Sequence, residues 1–167
     1  MQTIEIFLAS SKELAKDRDA FNLYFHQQND WRLKEGIYLK IIHWEDFIDA
    51  MSDNGLQEEY NDAVRQCDIF VSLFSTKVGK YTEEEFDVAY MEYKKTKKRP
   101  KVYTFFKDTE IKTSALDEKA LKSLWKFQKK LKKLKHYQTE YDSIEDLKLQ
   151  FSDQLRKLLD DGLLKRE

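Results

Sequence analysis

Apolar positions along this chain fall into two kinds of run, and the two kinds alternate. Residues 4–8 (Ile-Glu-Ile-Phe-Leu), 37–42 (Ile-Tyr-Leu-Lys-Ile-Ile), 69–74 (Ile-Phe-Val-Ser-Leu-Phe) and 101–106 (Lys-Val-Tyr-Thr-Phe-Phe) are short and rich in β-branched and aromatic side chains. Such runs read as strands covered on both faces, the habit of a parallel sheet. Between them the spacing changes to three and four. Leu14, Phe21 and Phe25 recur at helical intervals with Arg18 as the polar exception, and Asn29-Asp30 with Lys34-Glu-Gly36 form the return loop. Leu56, Tyr60, Ala63 and Val64 mark a second helix, and Phe86, Ala89, Tyr90 and Tyr93 a third. Leu121, Leu124, Trp125, Leu131 and Leu134 stripe a very basic fourth helix that runs to about Lys135. Residues 136–139 form a short, polar fifth strand at an edge. Ser143 caps a last helix carrying Ile144, Leu147, Phe151, Leu155 and Leu158.

Five strands alternating with five helices predict a three-layer α/β sandwich of flavodoxin-like type. Its five-stranded parallel sheet takes the order 2-1-3-4-5, in one domain over residues 1–167. That order puts a switch point between the first and third strands, where ligands settle beyond the carboxyl ends. Two segments meet there. Ala9-Ser10-Ser11 breaks the first strand with small residues, and Ser75 to Glu85 follows the third. In the second segment Thr82 stands three residues ahead of Glu85, a capping-box spacing that opens the third helix. Residues 44–55 are too polar for a strand and too irregular for a helix, and are expected to form a long functional loop.

Composition narrows the chemistry. The chain has 167 residues and a net charge of -1, which gives no overall field for nucleic acid or an anionic membrane. The lysine-rich runs at 94–101 and 129–135 read as solvated helix faces, so a nucleic-acid partner is not expected. No apolar run reaches membrane-spanning length, and the chain enters its first strand without a signal-peptide pattern. The single cysteine, Cys67, excludes an internal disulfide framework and reads as a core residue in a cytoplasmic protein. Four glycines supply neither a dinucleotide fingerprint nor a P-loop. His26, His43 and His136 lie far apart, without zinc or triad spacing, so no metal and no cofactor are expected. What remains is a reaction that needs one carboxylate. Nicotinamide leaves NAD+ as a neutral group from a cationic one, so no general acid is required, and a carboxylate such as Glu85 can stabilise the oxocarbenium-like ribose.

The segment Cys-Asp-Ile-Phe-Val-Ser-Leu-Phe-Ser at 67–75, its loop, Tyr81, and Glu85-Phe-x-x-Ala89 together resemble the strand-C and helix-C region of TIR (Toll/interleukin-1 receptor) domains. Ile-Glu-Ile-Phe-Leu-Ala-Ser-Ser at 4–11 is similar to the family's first strand and loop, and residues 41–55 stand where the family has strand B and the BB loop. The likeness spans about residues 4–108 and is closer to bacterial TIR-like effectors than to animal adaptors. It implies an NAD+ nucleosidase, hydrolase or cyclase, of the kind used in antiviral defence, with NAD+ as substrate and linear or cyclic ADP-ribose as product. It implies Glu85 as the catalytic glutamate and Tyr81 as an aromatic that stacks on the nucleotide. Ser10 and Ser11 would line the ribose and phosphate side, and Trp44 and Asp46 would open the BB loop; Ser75, in the same strand-end crevice, is expected to contact the substrate. Phe47, Ile48 and Met51 would join subunits into an active homo-oligomer, with a fused or separate sensor as trigger. The chain departs from the family at Val78-Gly79, where a small polar residue or cysteine is common, and at Tyr81, where tryptophan is common.

The same residues have plainer uses. Thr82 and Glu85 make a cap without any substrate, Tyr81 can act as a hydrophobic staple, Trp44 can be core rim, and serines satisfy loop backbone. Two other functions therefore stay open: a catalytically silent interaction module that works by homotypic contact, and a flavodoxin-like enzyme acting on a nucleoside N-glycosidic bond.

Overall fold

The computed structural model describes residues 1–42 and 56–165. Strand β1 (Gln2–Ser10) leads through a 3-10 turn (Lys12–Leu14) into helix α1 (Ala15–Arg32). Strand β2 (Ile37–Ile42) and helix α2 (Leu56–Gln66) follow, then β3 (Ile69–Phe74), α3 (Lys80–Thr96) and β4 (Lys101–Lys107). The chain continues with α4 (Glu118–Lys133), β5 (Gln138–Tyr141) and α5 (Ile144–Asp160). All pairings are parallel and the sheet order is β2-β1-β3-β4-β5, the flavodoxin-like arrangement expected from the alternation of runs.

The sheet separates two cores. Ile4, Ile6 and Leu8 of β1 and Ile69, Val71 and Leu73 of β3 turn toward Phe21 and Phe25 of α1 and Phe151 of α5. Phe7, Ala9, Phe70 and Phe74 turn the other way, onto Val64 of α2, Phe86 and Ala89 of α3, and Phe127 and Leu131 of α4. Every residue of β3 is buried, as a central strand sandwiched between helices requires.

Several boundaries differ from the sequence expectation, each for a physical reason. Asn29 and Asp30 are not a loop but the last turns of α1. Asn29 is buried there, donating from Nδ2 to the Leu39 carbonyl at 2.9 Å and accepting the Leu39 N–H at 2.7 Å. An amide that usually marks a turn here serves the open edge of β2. Asn29→Ala strands both backbone groups and is expected to lower unfolding free energy by about 2 kcal/mol in urea titrations. The fifth strand lies two residues later than expected, at Gln138–Tyr141, because the chain first closes α4. Lys135 adopts φ 55° while the His136 N–H returns to the Leu131 carbonyl at 3.0 Å. On α4 the buried residues are Phe127 and Leu131, whereas Trp125 is exposed. Cys67 is buried, its thiol donating to the Val64 carbonyl at 3.1 Å, and burial pushes its pKa up.

Candidate active site

Gly79 is the residue that caps α3, in extended conformation and with no side-chain cap, so the helix starts at Lys80. Thr82 therefore lies inside the first turn, buried, and the expected capping box between Thr82 and Glu85 does not form. The earlier helix start frees Glu85 from any capping role. Its carboxyl is not used at the helix end but lies half-buried on the side of α3 that meets α2, where the Gln57 side chain hydrogen-bonds it. Gln57 in turn donates from Nε2 to Oδ1 of buried Asn61 at 3.1 Å, which holds the amide in place. Burial raises the Glu85 pKa from 4.5 to about 7; the Gln57 hydrogen bond works against that rise and the neighbouring charge of Glu84 adds to it. Glu83, the first residue of this acidic run, is engaged by Lys130 at 3.3 Å. Tyr81 is 64% exposed on the first turn of α3.

Ser11 lies beside a residue that the sequence did not mark. Glu13, in the turn after β1, reaches across the switch point to the loop after β3. It accepts the Thr76 N–H at 2.8 Å, the Thr76 hydroxyl at 2.5 Å and the Lys77 N–H at 3.3 Å. Ser11 is buried beside it, its hydroxyl 3.4 Å from Glu13 Oε1. Ser10 is the last residue of β1 rather than part of the loop, and its buried hydroxyl has no partner among the described residues. Ser75 is buried and shares a hydrogen bond with Thr109 at 3.0 Å. It lines a cavity of about 140 Å³ past the ends of β3 and β4, with Lys107, Asp108, Gln128 and Glu140. The expected residues thus form two groups: Ser10, Ser11 and Ser75 at the strand ends, and Glu85 with Tyr81 on α3. The hydrogen-bond partner of Glu85 is Gln57 and not a serine. Trp44, Asp46, Phe47, Ile48 and Met51, and with them the expected loop and assembly contacts, lie outside the described residues.

Neither Glu13 nor Gln57 had a signal in the sequence. Glu13 is a charged residue in a turn and Gln57 a polar residue on a helix, and each acquires its role from a partner distant in the chain. Among the described residues no three His, Cys, Asp or Glu side chains converge as a metal site, and no helix is long and apolar enough to cross a membrane. His136 is half-buried, with Nε2 3.0 Å from the Thr104 hydroxyl and burial lowering its pKa.

Comparison with known proteins gives a family and a fold. The family described as a domain of unknown function, DUF4062, matches residues 5–156. No curated protein matches the chain. Among solved structures, the CMP N-glycosidase BcmB of Clostridium botulinum is similar with a TM-score of 0.52 and 15% identity, over 89% of this chain and 97% of that one. A conserved protein from Enterococcus faecalis V583 is similar with a TM-score of 0.50 and 14% identity, over 92% and 99% of the two chains. The TIR domains of the activated Roq1 resistosome follow at 0.44 and 16% identity, over 77% and 72%.

Proposed function

Since the chain belongs to the DUF4062 family, a domain of unknown function that carries no activity with its name, we propose on the chemistry of the site that it cleaves the N-glycosidic bond of a ribosyl nucleotide, with NAD+ as substrate. The observation that carries this is the Glu85 carboxyl, half-buried near the start of α3, where that helix meets α2, and held by Gln57. A partly desolvated carboxylate interacts with developing positive charge far more strongly than one in water. In its ionised form it stabilises the ribosyl cation as nicotinamide departs, and water or a group of the same nucleotide then captures that cation, giving a linear or cyclic product. Ser10 and Ser11, with Ser75, are proposed to face the ribose and phosphates, and Tyr81 to stack on a base. Trp44 and Asp46 are proposed to close the site, and Phe47, Ile48 and Met51 to join subunits.

The raised pKa also favours a second reading, in which the bond cut is that of a pyrimidine nucleoside monophosphate; the fold likeness to a CMP N-glycosidase accords with it. Cytosine leaves without a positive charge already on the ring and needs a proton, which Glu85 carries below about pH 7. The two substrates therefore call for opposite forms of one group. In the test, concentrated or bead-clustered protein is incubated with NAD+ or with CMP across pH 5 to 9, and free nicotinamide or cytosine is measured. For NAD+, kcat/KM is expected to rise through about pH 7 and then level off. Activity on CMP that falls over the same range replaces NAD+ by the second reading. Release of neither base at any density leaves the silent interaction module.

A further inference from the structure

A larger hollow, about 620 Å³, lies away from Glu85 along the outer side of β4. Strand β5 pairs with β4 only from Thr104 onward, whereas β3 pairs with it from Lys101. Lys101, Val102 and Tyr103 thus have a strand on one side and none on the other among the described residues. The Lys101 N–H points inward, to the Asp68 carbonyl at 2.9 Å. Alternation along the strand then turns the N–H and C=O of Val102 outward, into the hollow. The floor of the groove is therefore an open strand edge, the feature that proteins normally cover or that recruits an extended chain.

The walls say what kind of chain fits. Lys94, Lys101 and Lys135 line the groove, and no Asp or Glu does. Lys94 sits 5.8 Å from the centre of the Tyr90 ring and Lys101 5.8 Å from that of Tyr93, so both ammonium groups stay at the groove. Lys135 occupies the left-handed position, φ 55°, where glycine costs least. Tyr137 is 83% exposed at the same lip. We propose that this groove docks an extended acidic peptide, which joins the sheet as a short strand along residues 101–103 while its carboxylates meet the three lysines. A single strand of nucleic acid has the same charge but gains nothing from an open strand edge, and lysines already lie over the Tyr90 and Tyr93 rings.

The test uses a fluorescein-labelled octapeptide of alternating Glu and Val, followed by fluorescence anisotropy at low salt, with amide hydrogen exchange read at Val102. Saturable binding is expected, with slower exchange at Val102. Affinity is expected to fall at least tenfold in the double variant K101E/K135E, whose melting curve stays that of the parent. The same peptide N-methylated at alternate residues keeps its charge but cannot pair with a strand, and is expected to bind at least tenfold more weakly. No binding of the parent peptide, equal binding of the methylated one, or no change at Val102 each overturns the proposal. So does binding of oligo-dT12 through the same lysines in place of the peptide.

Discussion

Glu85→Gln is expected to reduce nicotinamide release from NAD+ by a factor of about 100 to 1,000, while making the protein more stable above pH 7. The two effects share one cause. Removing a preorganised electrostatic partner of the transition state typically costs that much in rate. In the resting protein the same carboxyl is buried enough to hold its proton up to about pH 7, against 4.5 when exposed. Between those values the folded chain binds a proton that the unfolded chain has released, so stability falls as pH rises through the window and is level above it. The full shift corresponds to about 3 kcal/mol. Glutamine keeps the shape and the neutral state, so the variant should lack that slope in melting curves taken from pH 4.5 to 8. Its stability should exceed the parent's by up to about 3 kcal/mol at pH 8. Unchanged nicotinamide release in the variant removes Glu85 from the reaction. A variant less stable than the parent at pH 8 means that the carboxylate is welcome where it lies.

The second large effect belongs to the amino-terminal end of the central strands. Asp68 is fully buried at the start of β3, where Oδ2 accepts the Glu5 N–H at 2.8 Å and Oδ1 lies 3.5 Å from Arg99 Nε. Its own N–H donates to the Glu5 carbonyl at 2.8 Å and its carbonyl accepts from Lys101 at 2.9 Å, so this one residue joins β1, β3 and β4. Asp68→Ala leaves the Glu5 N–H without its acceptor and takes the carboxylate from beside the Arg99 guanidinium, which keeps the Lys165 carbonyl at 3.0 Å. Losing the acceptor of such a donor together with the ion pair costs about 2 to 4 kcal/mol. Chemical denaturation is expected to show that loss with the m-value unchanged, and Asp68→Asn to cost less because it keeps the acceptor for Glu5. A loss below about 1 kcal/mol for the alanine variant would mean that water replaces the carboxylate.

The architecture was legible because its signals are local. A run such as Ile-Phe-Val-Ser-Leu-Phe has only one comfortable home, between two layers of helices, and repetition of that pattern dictates a parallel sheet. Errors came where a side chain's partner lies far away in the chain. Asn29 reads as a turn residue until β2 supplies the backbone groups that it binds. Thr82 and Glu85 have capping-box spacing, yet Gly79 starts the helix earlier, and only the packing of α2 reveals what Glu85 touches. Ser10 looked like loop because it is small and polar, but β1 continues through it in register with Leu73. Of the candidate site, Glu85 was singled out from pattern and resemblance, whereas Gln57 and Glu13 were not.

Glu13 also governs how the strand-end crevice greets visitors. Successive amides such as those of Thr76 and Lys77 are donors that an anion can use, but a carboxylate from the same chain already takes them. An incoming anion has to evict that carboxylate or settle beside it against like charge. Those two amides are thus spoken for within the chain, and an outside anion reaches them only by displacing Glu13.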